Sequence, residues 1–124
     1  MGKNIIFVLL DGARCDRLDE SSDFRKLKKL GCLFDNIIAA YPYTFPAINS
    51  MFTGLFGKEN GVDAYYKMFR FKENEVTSLA QYLKELGYHT SCDIINDKLI
   101  PKNGFDERHV YDEKTVDFKK RHRE

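Results

Sequence analysis

N-I-I-F-V-L-L-D-G occupies residues 4–12. Its first seven positions are Asn4 and a continuous run of six apolar residues rich in β-branched side chains. That is the pattern of a strand buried on both faces of a parallel sheet. Such a sheet is covered by helices on both sides, so this run points to an α/β architecture in three layers. In open α/β sheets ligands gather beyond the carboxyl ends of strands, which makes Asp11 a candidate metal or substrate ligand. Asp-Gly is equally a common turn pair. Arg14 and Asp16 follow on the same loop, where an ion pair between them would brace it.

Working outward, the next signals alternate between helix and strand. Ser21 or Ser22 is placed to cap a helix carrying Phe24, Leu27 and Leu30 inward, with Gly31 as its stop. Residues 32–40, C-L-F-D-N-I-I-A-A, read as a short strand or extended segment. Residues 76–86 form an amphipathic helix with Leu79, Tyr82, Leu83 and Leu86 on one face and Gly87 at its end. Residues 88–95 read as a second buried parallel strand, which makes the helix a right-handed crossover. Asn96 stands just past that strand's carboxyl end. Residues 101–110 read as a loop, and 111–124 as a charged helical tail. Residues 64–72 interleave aromatic and basic side chains, which suits base stacking, but no RNA-binding signature accompanies them, and a surface segment packed on the domain is expected.

Between the first two helices lies Y-P-Y-T-F-P-A-I-N-S-M-F-T-G, residues 41–54. Pro46 suits the first position of a helix, where its fixed φ is helical and its missing N–H has no partner to lose. Ile48, Met51, Phe52 and Leu55 then follow the spacing of one helix face, and Gly54 offers the stop. Thr44 is expected just ahead of the helix, where the positive dipole end favours an anion. As a residue it would serve equally as a cap or a turn.

Composition sets the outer bounds. The chain has 124 residues, 43% hydrophobic and 31% charged, consistent with one folded domain over 1–124. Twenty basic and 19 acidic residues give a net charge of +1, so no global charge argues for nucleic acid or a membrane surface. The apolar run at 5–10 is too short to span a bilayer, and no signal peptide precedes it. Cys15, Cys32 and Cys92 are odd in number and lack a C-x-x-C spacing, which suits reduced thiols in a cytoplasmic protein. None of His89, His109 and His122 has a partner at metal-binding spacing.

The order of these signals resembles the sulfatase branch of the alkaline phosphatase superfamily. D-G-A-R-C-D-R-L after the first strand is similar to that family's D-x-x-R-x-D-x-L loop. Thr44, Pro46 and Thr53-Gly54 match its nucleophile, the proline two residues on, and a helix closing in Thr-Gly. The L-A-x-x-L-K-x-x-G-Y-x-T pattern from Leu79 to Thr90, then Gly104-Phe105-Asp106, continue the match over about the first 106 residues.

The resemblance implies an alkaline-phosphatase-like, three-layer α/β fold with a mostly parallel sheet, of which this chain holds the N-terminal part. It implies a metal-dependent hydrolase or transferase of phosphate or sulfate esters, working through a covalent threonine intermediate. Asp11 becomes a metal ligand, Thr44 the nucleophile and a second metal contact, and Asn96 a substrate contact. The cofactor implied is a divalent cation, Zn, Mn, Mg or Ca. Two departures shape the expectation. Thr44 stands where sulfatases that use formylglycine have cysteine or serine, and Pro46-Ala47-Ile48 replaces their Pro-Ser-Arg. The pattern is nearer to the family's phosphodiesterases and its phosphoglycerol or phosphoethanolamine transferases.

The family's remaining Asp and His ligands lie in a second half that these residues do not include. Alone, the chain is therefore expected to be inactive or nearly so. The alternative is a non-catalytic binding or assembly module derived from the same fold, associating with itself through an exposed sheet edge.

Overall fold

The computed structural model describes residues 3–111 and divides the chain into two units, with the boundary between Ile38 and Ala39. In the first unit, residues 3–10 lead into a turn at Asp11-Gly12, with Gly12 at φ 70°. A single helical turn, α1 (Cys15–Leu18), comes next. Then comes α2 (Ser22–Leu30), whose N-cap is Ser21: its hydroxyl oxygen accepts the Phe24 N–H at 3.4 Å. That cap was expected. The inward face was not found, since α2 buries none of its residues and Leu30 is 84% exposed.

The first apolar run also differs from expectation. Residues 4–10 carry no regular secondary structure, pair with no strand among the described residues, and stay exposed, Ile6 at 85%. Apolar composition supplies the propensity for a strand, but that propensity describes a fit to a half-buried pleated surface, and these residues are exposed. Residues 32–39 likewise form no ladder.

The second unit holds the packed structure. It contains α3 (Thr44–Thr53), α4 (Gly57–Asn60), a 3-10 turn (Tyr65–Arg70), α5 (Leu79–Glu85), β1 (Ser91–Ile94) and β2 (Glu107–Val110). The two strands are parallel, with Ser91 opposite Glu107 and Ile94 opposite Val110. β1 falls inside the expected strand at 88–95, but its partner lies in 101–110, which reads as a loop in the sequence. The expected α5 crossover between two parallel strands is thus not the connection that builds this sheet. β1 is also covered on one face only: Cys92 and Ile94 face the core while Ser91 and Asp93 are exposed. Ile48 of α3, Ile94 and Ile100 form that core, with Phe52, Leu99 and Phe105 packed against it.

Polar contacts lock this arrangement. Ser78 and Gln81 form a reciprocal capping box at the start of α5, two backbone N–H groups each finding a side-chain oxygen. Asp106 fixes the entry to β2: its Oδ2 accepts the Thr90 N–H at 2.9 Å, and its own N–H donates to the Thr90 carbonyl at 2.8 Å. Gly104, at φ 102°, lies so close to α5 that a Cβ there would come within 2.2 Å of the Gln81 nitrogen. The Gly104-Phe105-Asp106 motif is therefore a structural joint between α5 and the sheet. On α5, Leu79 and Tyr82 are exposed, as is Leu86 at its C-cap, while Leu83 is half-buried and Ala80 buried, so of the expected inward face only Leu83 is partly covered. The charged tail, residues 112–124, and His122 within it lie outside the described residues.

Candidate active site

Thr44 is the first residue of α3, with Tyr43 as the N-cap, so the helix begins two residues earlier than Pro46 implies. Pro46 becomes the third helical residue. It is tolerated there because the first intrahelical bond is donated by Ala47, to the Tyr43 carbonyl at 3.2 Å, and the N–H groups before it need no helical acceptor. Thr44 is half-buried, and Phe45, next to it, packs edge-on against Tyr65 with ring centroids 5.1 Å apart. The other end of α3 is as expected: Gly54 at φ 68° donates its N–H to the Ser50 carbonyl at 2.8 Å.

Two further contacts steady the helix that presents Thr44. The Tyr41 hydroxyl accepts the Gly57 N–H at 2.9 Å, tying the chain before α3 to the start of α4. Asn60, fully buried, accepts the Val62 N–H and donates to the Leu55 carbonyl and the Thr53 hydroxyl. Asn60 carries no sequence signal beyond its place before Gly61, since buried asparagines are recognised by their partners.

Asp11 sits in its turn with Gly12, exposed, at the end of the apolar run. Arg14 stands at the N-cap position of α1, and its side chain forks onto Asp16 through Nε–Oδ1 at 2.9 Å and a second nitrogen at 2.6 Å. The guanidinium holds the Asp16 carboxyl below its ordinary pKa. Both side chains are more than half exposed, so this fork shapes the loop and adds little stability. Asn96 lies two residues past β1. Its Oδ1 accepts the Lys98 N–H at 3.0 Å and its carbonyl accepts the Leu99 N–H, so its oxygens are used in the turn that follows the strand.

Among the described residues no group of three or more His, Cys, Asp or Glu side chains is arranged to hold a metal ion. Asp11 carries a carboxylate and Thr44 a hydroxyl, each a hard oxygen donor of the kind that Mg, Ca, Mn or Zn takes. His89 faces Asp106 and Glu107, and His109 faces Glu107, all at 3.4–3.8 Å on an exposed surface.

A family model described as Sulfatase matches residues 3–122. The chain belongs to the sulfatase family. It is a member of the sulfatase-like branch of the alkaline phosphatase superfamily, and its motifs are those of the N-terminal part of the domain. The family has an α/β fold, and its members are hydrolases that act on esters and generally use a divalent metal. No curated protein and no solved structure gives a match. No helix among the described residues is long and apolar enough to cross a membrane.

Proposed function

We propose that this chain carries the nucleophile side of a metal-dependent hydrolase or transferase of phosphate or sulfate esters, built on a three-layer, mostly parallel α/β fold. The observation that carries the reading is Thr44 as the first residue of α3, within the family match. A threonine at a helix N-terminus faces the positive dipole end, which favours the negative charge that gathers on a transferring phosphoryl or sulfuryl group. A bound divalent cation, held in part by Asp11 and Thr44, would supply Lewis acidity that lowers the hydroxyl pKa and offsets ester charge.

Thr44 Oγ attacks phosphorus or sulfur in line, its proton passing to solvent. The new O–P or O–S bond forms as the bond to the leaving alcohol breaks, and that alcohol leaves with a proton from water. Water or an acceptor alcohol then attacks the threonine ester and restores the hydroxyl. Asn96 would offer its amide N–H groups to a substrate oxygen, since its Oδ1 serves the turn. Threonine cannot become formylglycine, so phosphodiester or phosphoglycerol-type substrates fit better than the sulfates of formylglycine enzymes.

The test uses the product of the whole gene with a panel of phosphate diesters and sulfate esters under Mg, Mn, Ca and Zn. Thr44→Ala should lower kcat by at least about a hundredfold, the scale of losing a nucleophile's covalent route. Quenched turnover should leave a phosphoryl or sulfuryl adduct on the peptide holding Thr44. Unchanged turnover in Thr44→Ala would overturn the reading. The 124-residue chain alone should show little turnover.

Exposed apolar residues favour a second reading, self-association as an assembly module. Ile6 at 85%, Ile38 at 91% and Phe34 at 75% exposure are unusual for an isolated soluble chain. Sedimentation at micromolar concentration should show dimers or larger species; a clean monomer removes this reading.

A further inference from the structure

β2 brings one arginine to the loop that leaves β1. Arg108 stands opposite Cys92 in the parallel pair, and its guanidinium lies over the Phe105 ring, 5.5 Å from the centroid. Phe105 packs on the core formed by Ile48, Ile94 and Ile100, so the charged head is backed by a fixed apolar surface. The Arg108 side chain is only 17% exposed.

Once a chain leaves a strand, its carbonyls lose the ladder and must find donors elsewhere. Arg108 supplies donors to two of them. Its Nη2 donates to the Asp97 carbonyl at 3.0 Å and to Asp97 Oδ1 at 3.1 Å, and its Nη1 donates to the Pro101 carbonyl at 3.2 Å. The planar fork thus grips both ends of residues 97–101 at once, which the compact ammonium of a lysine does not do. Lys102 Nζ takes the second oxygen of the same carboxylate, Asp97 Oδ2, at 2.5 Å.

The turn that orients Asn96 is built on that gripped segment. Asn96 Oδ1 accepts the Lys98 N–H and its carbonyl accepts the Leu99 N–H, each at 3.0 Å. Both donors lie between the two carbonyls that Arg108 holds. An amide side chain is planar, so once its oxygen is engaged the direction of its nitrogen is set as well. A donor aimed in advance gives up less of its interaction to ordering when a ligand arrives.

We infer that Arg108 is a positioning residue: from β2 it holds residues 97–101 and thereby aims the Asn96 amide N–H groups. The inference rests on the reading of Asn96 as a substrate contact, and Arg108 acts through Asn96 rather than on the substrate.

Two measurements separate the grip from its use. The first is amide hydrogen exchange in the chain carrying Arg108→Gln. The Lys98 and Leu99 N–H groups should exchange about tenfold faster, the scale of losing a hydrogen bond to a charged group, while the Asp106 N–H, bonded to Thr90, keeps its rate. Unchanged exchange at Lys98 and Leu99, or the same acceleration at Asp106, would overturn the proposal whatever Asn96 does.

The second is a double-mutant cycle on the product of the whole gene, with bis(4-nitrophenyl) phosphate as the probe. Arg108→Gln and Asn96→Ala should each lower kcat/KM about tenfold, and the double variant should lose no more than Asn96→Ala alone. A purely structural role for Arg108 would instead give losses that multiply, which would overturn the proposal and leave the Asn96 reading standing. Full activity in Asn96→Ala would remove Asn96 as a substrate contact, and the positioning role with it.

Discussion

Residues 4–10 and β1 reverse the usual relation between composition and structure. The first is apolar at six consecutive positions, and it forms no ladder and lies exposed. The second, Ser-Cys-Asp-Ile, is half polar, and it is the strand that pairs. What β1 has is neighbours: β2 in register beside it, Ile48 and Ile100 over one face, and the Thr90–Asp106 bonds setting its start. Strand propensity describes a fit to a half-buried pleated surface, so it has force only where such a surface exists.

The sharpest way to test this contrast is at two glycines of positive φ. Gly104→Ala would drive a methyl into the α5 backbone as well as strain φ 102°, and should cost about 3 kcal/mol or more. Gly12, at φ 70°, has nothing within 4 Å of the position a Cβ would take, so Gly12→Ala should cost only about 1 kcal/mol. Urea denaturation of both variants measures the gap. Equal losses would mean that the Asp11 turn is as tightly built as the joint at α5.

Core truncation comes next. Ile48→Ala, at a residue 2% exposed, should cost about 2–4 kcal/mol, whereas Ile6→Ala should stay within about 0.5 kcal/mol. A large loss for Ile6→Ala would show that residues 4–10 are buried in solution, and would restore the strand expected from their composition.

The smallest effect is electrostatic. Lys84, foremost, and the Thr90 N–H hold the Asp106 carboxyl well below the usual carboxylate range. Its folded pKa is depressed, so the stabilisation is complete above the ordinary carboxylate value near 4 and is lost as pH falls through the lower folded value. Asp106→Asn should therefore lower the denaturation midpoint at pH 7, and the difference from the native chain should shrink below about pH 4. A constant difference down to pH 2 would remove Asp106 as the group responsible.

Local caps and stops in both units were legible in advance. Gly54 ends α3 and Ser21 caps α2, because local backbone geometry and short-range hydrogen bonds decide both. β2 was hidden because Glu-Arg-His-Val carries three polar residues in four, and its place depends on Asp106 meeting Thr90, sixteen residues away in sequence. The start of α3 was misjudged by two residues because proline is acceptable anywhere in the first helical turn, not at its first position alone. For the candidate site, the motif order identified the family and singled out Asp11 and Thr44. The Asn96 turn was illegible, since only a three-dimensional view shows its side-chain oxygen accepting the Lys98 N–H.

The bond from the Gly57 N–H to the Tyr41 hydroxyl closes a sixteen-residue span around α3, and Thr44 lies inside it. One amide proton therefore serves as a gauge of that whole span. Its rate of exchange with deuterium reads how often the approach to Thr44 swings open, without any substrate or turnover. In Tyr41→Phe the same proton loses its acceptor, and its faster exchange would calibrate the fully open limit of that gauge.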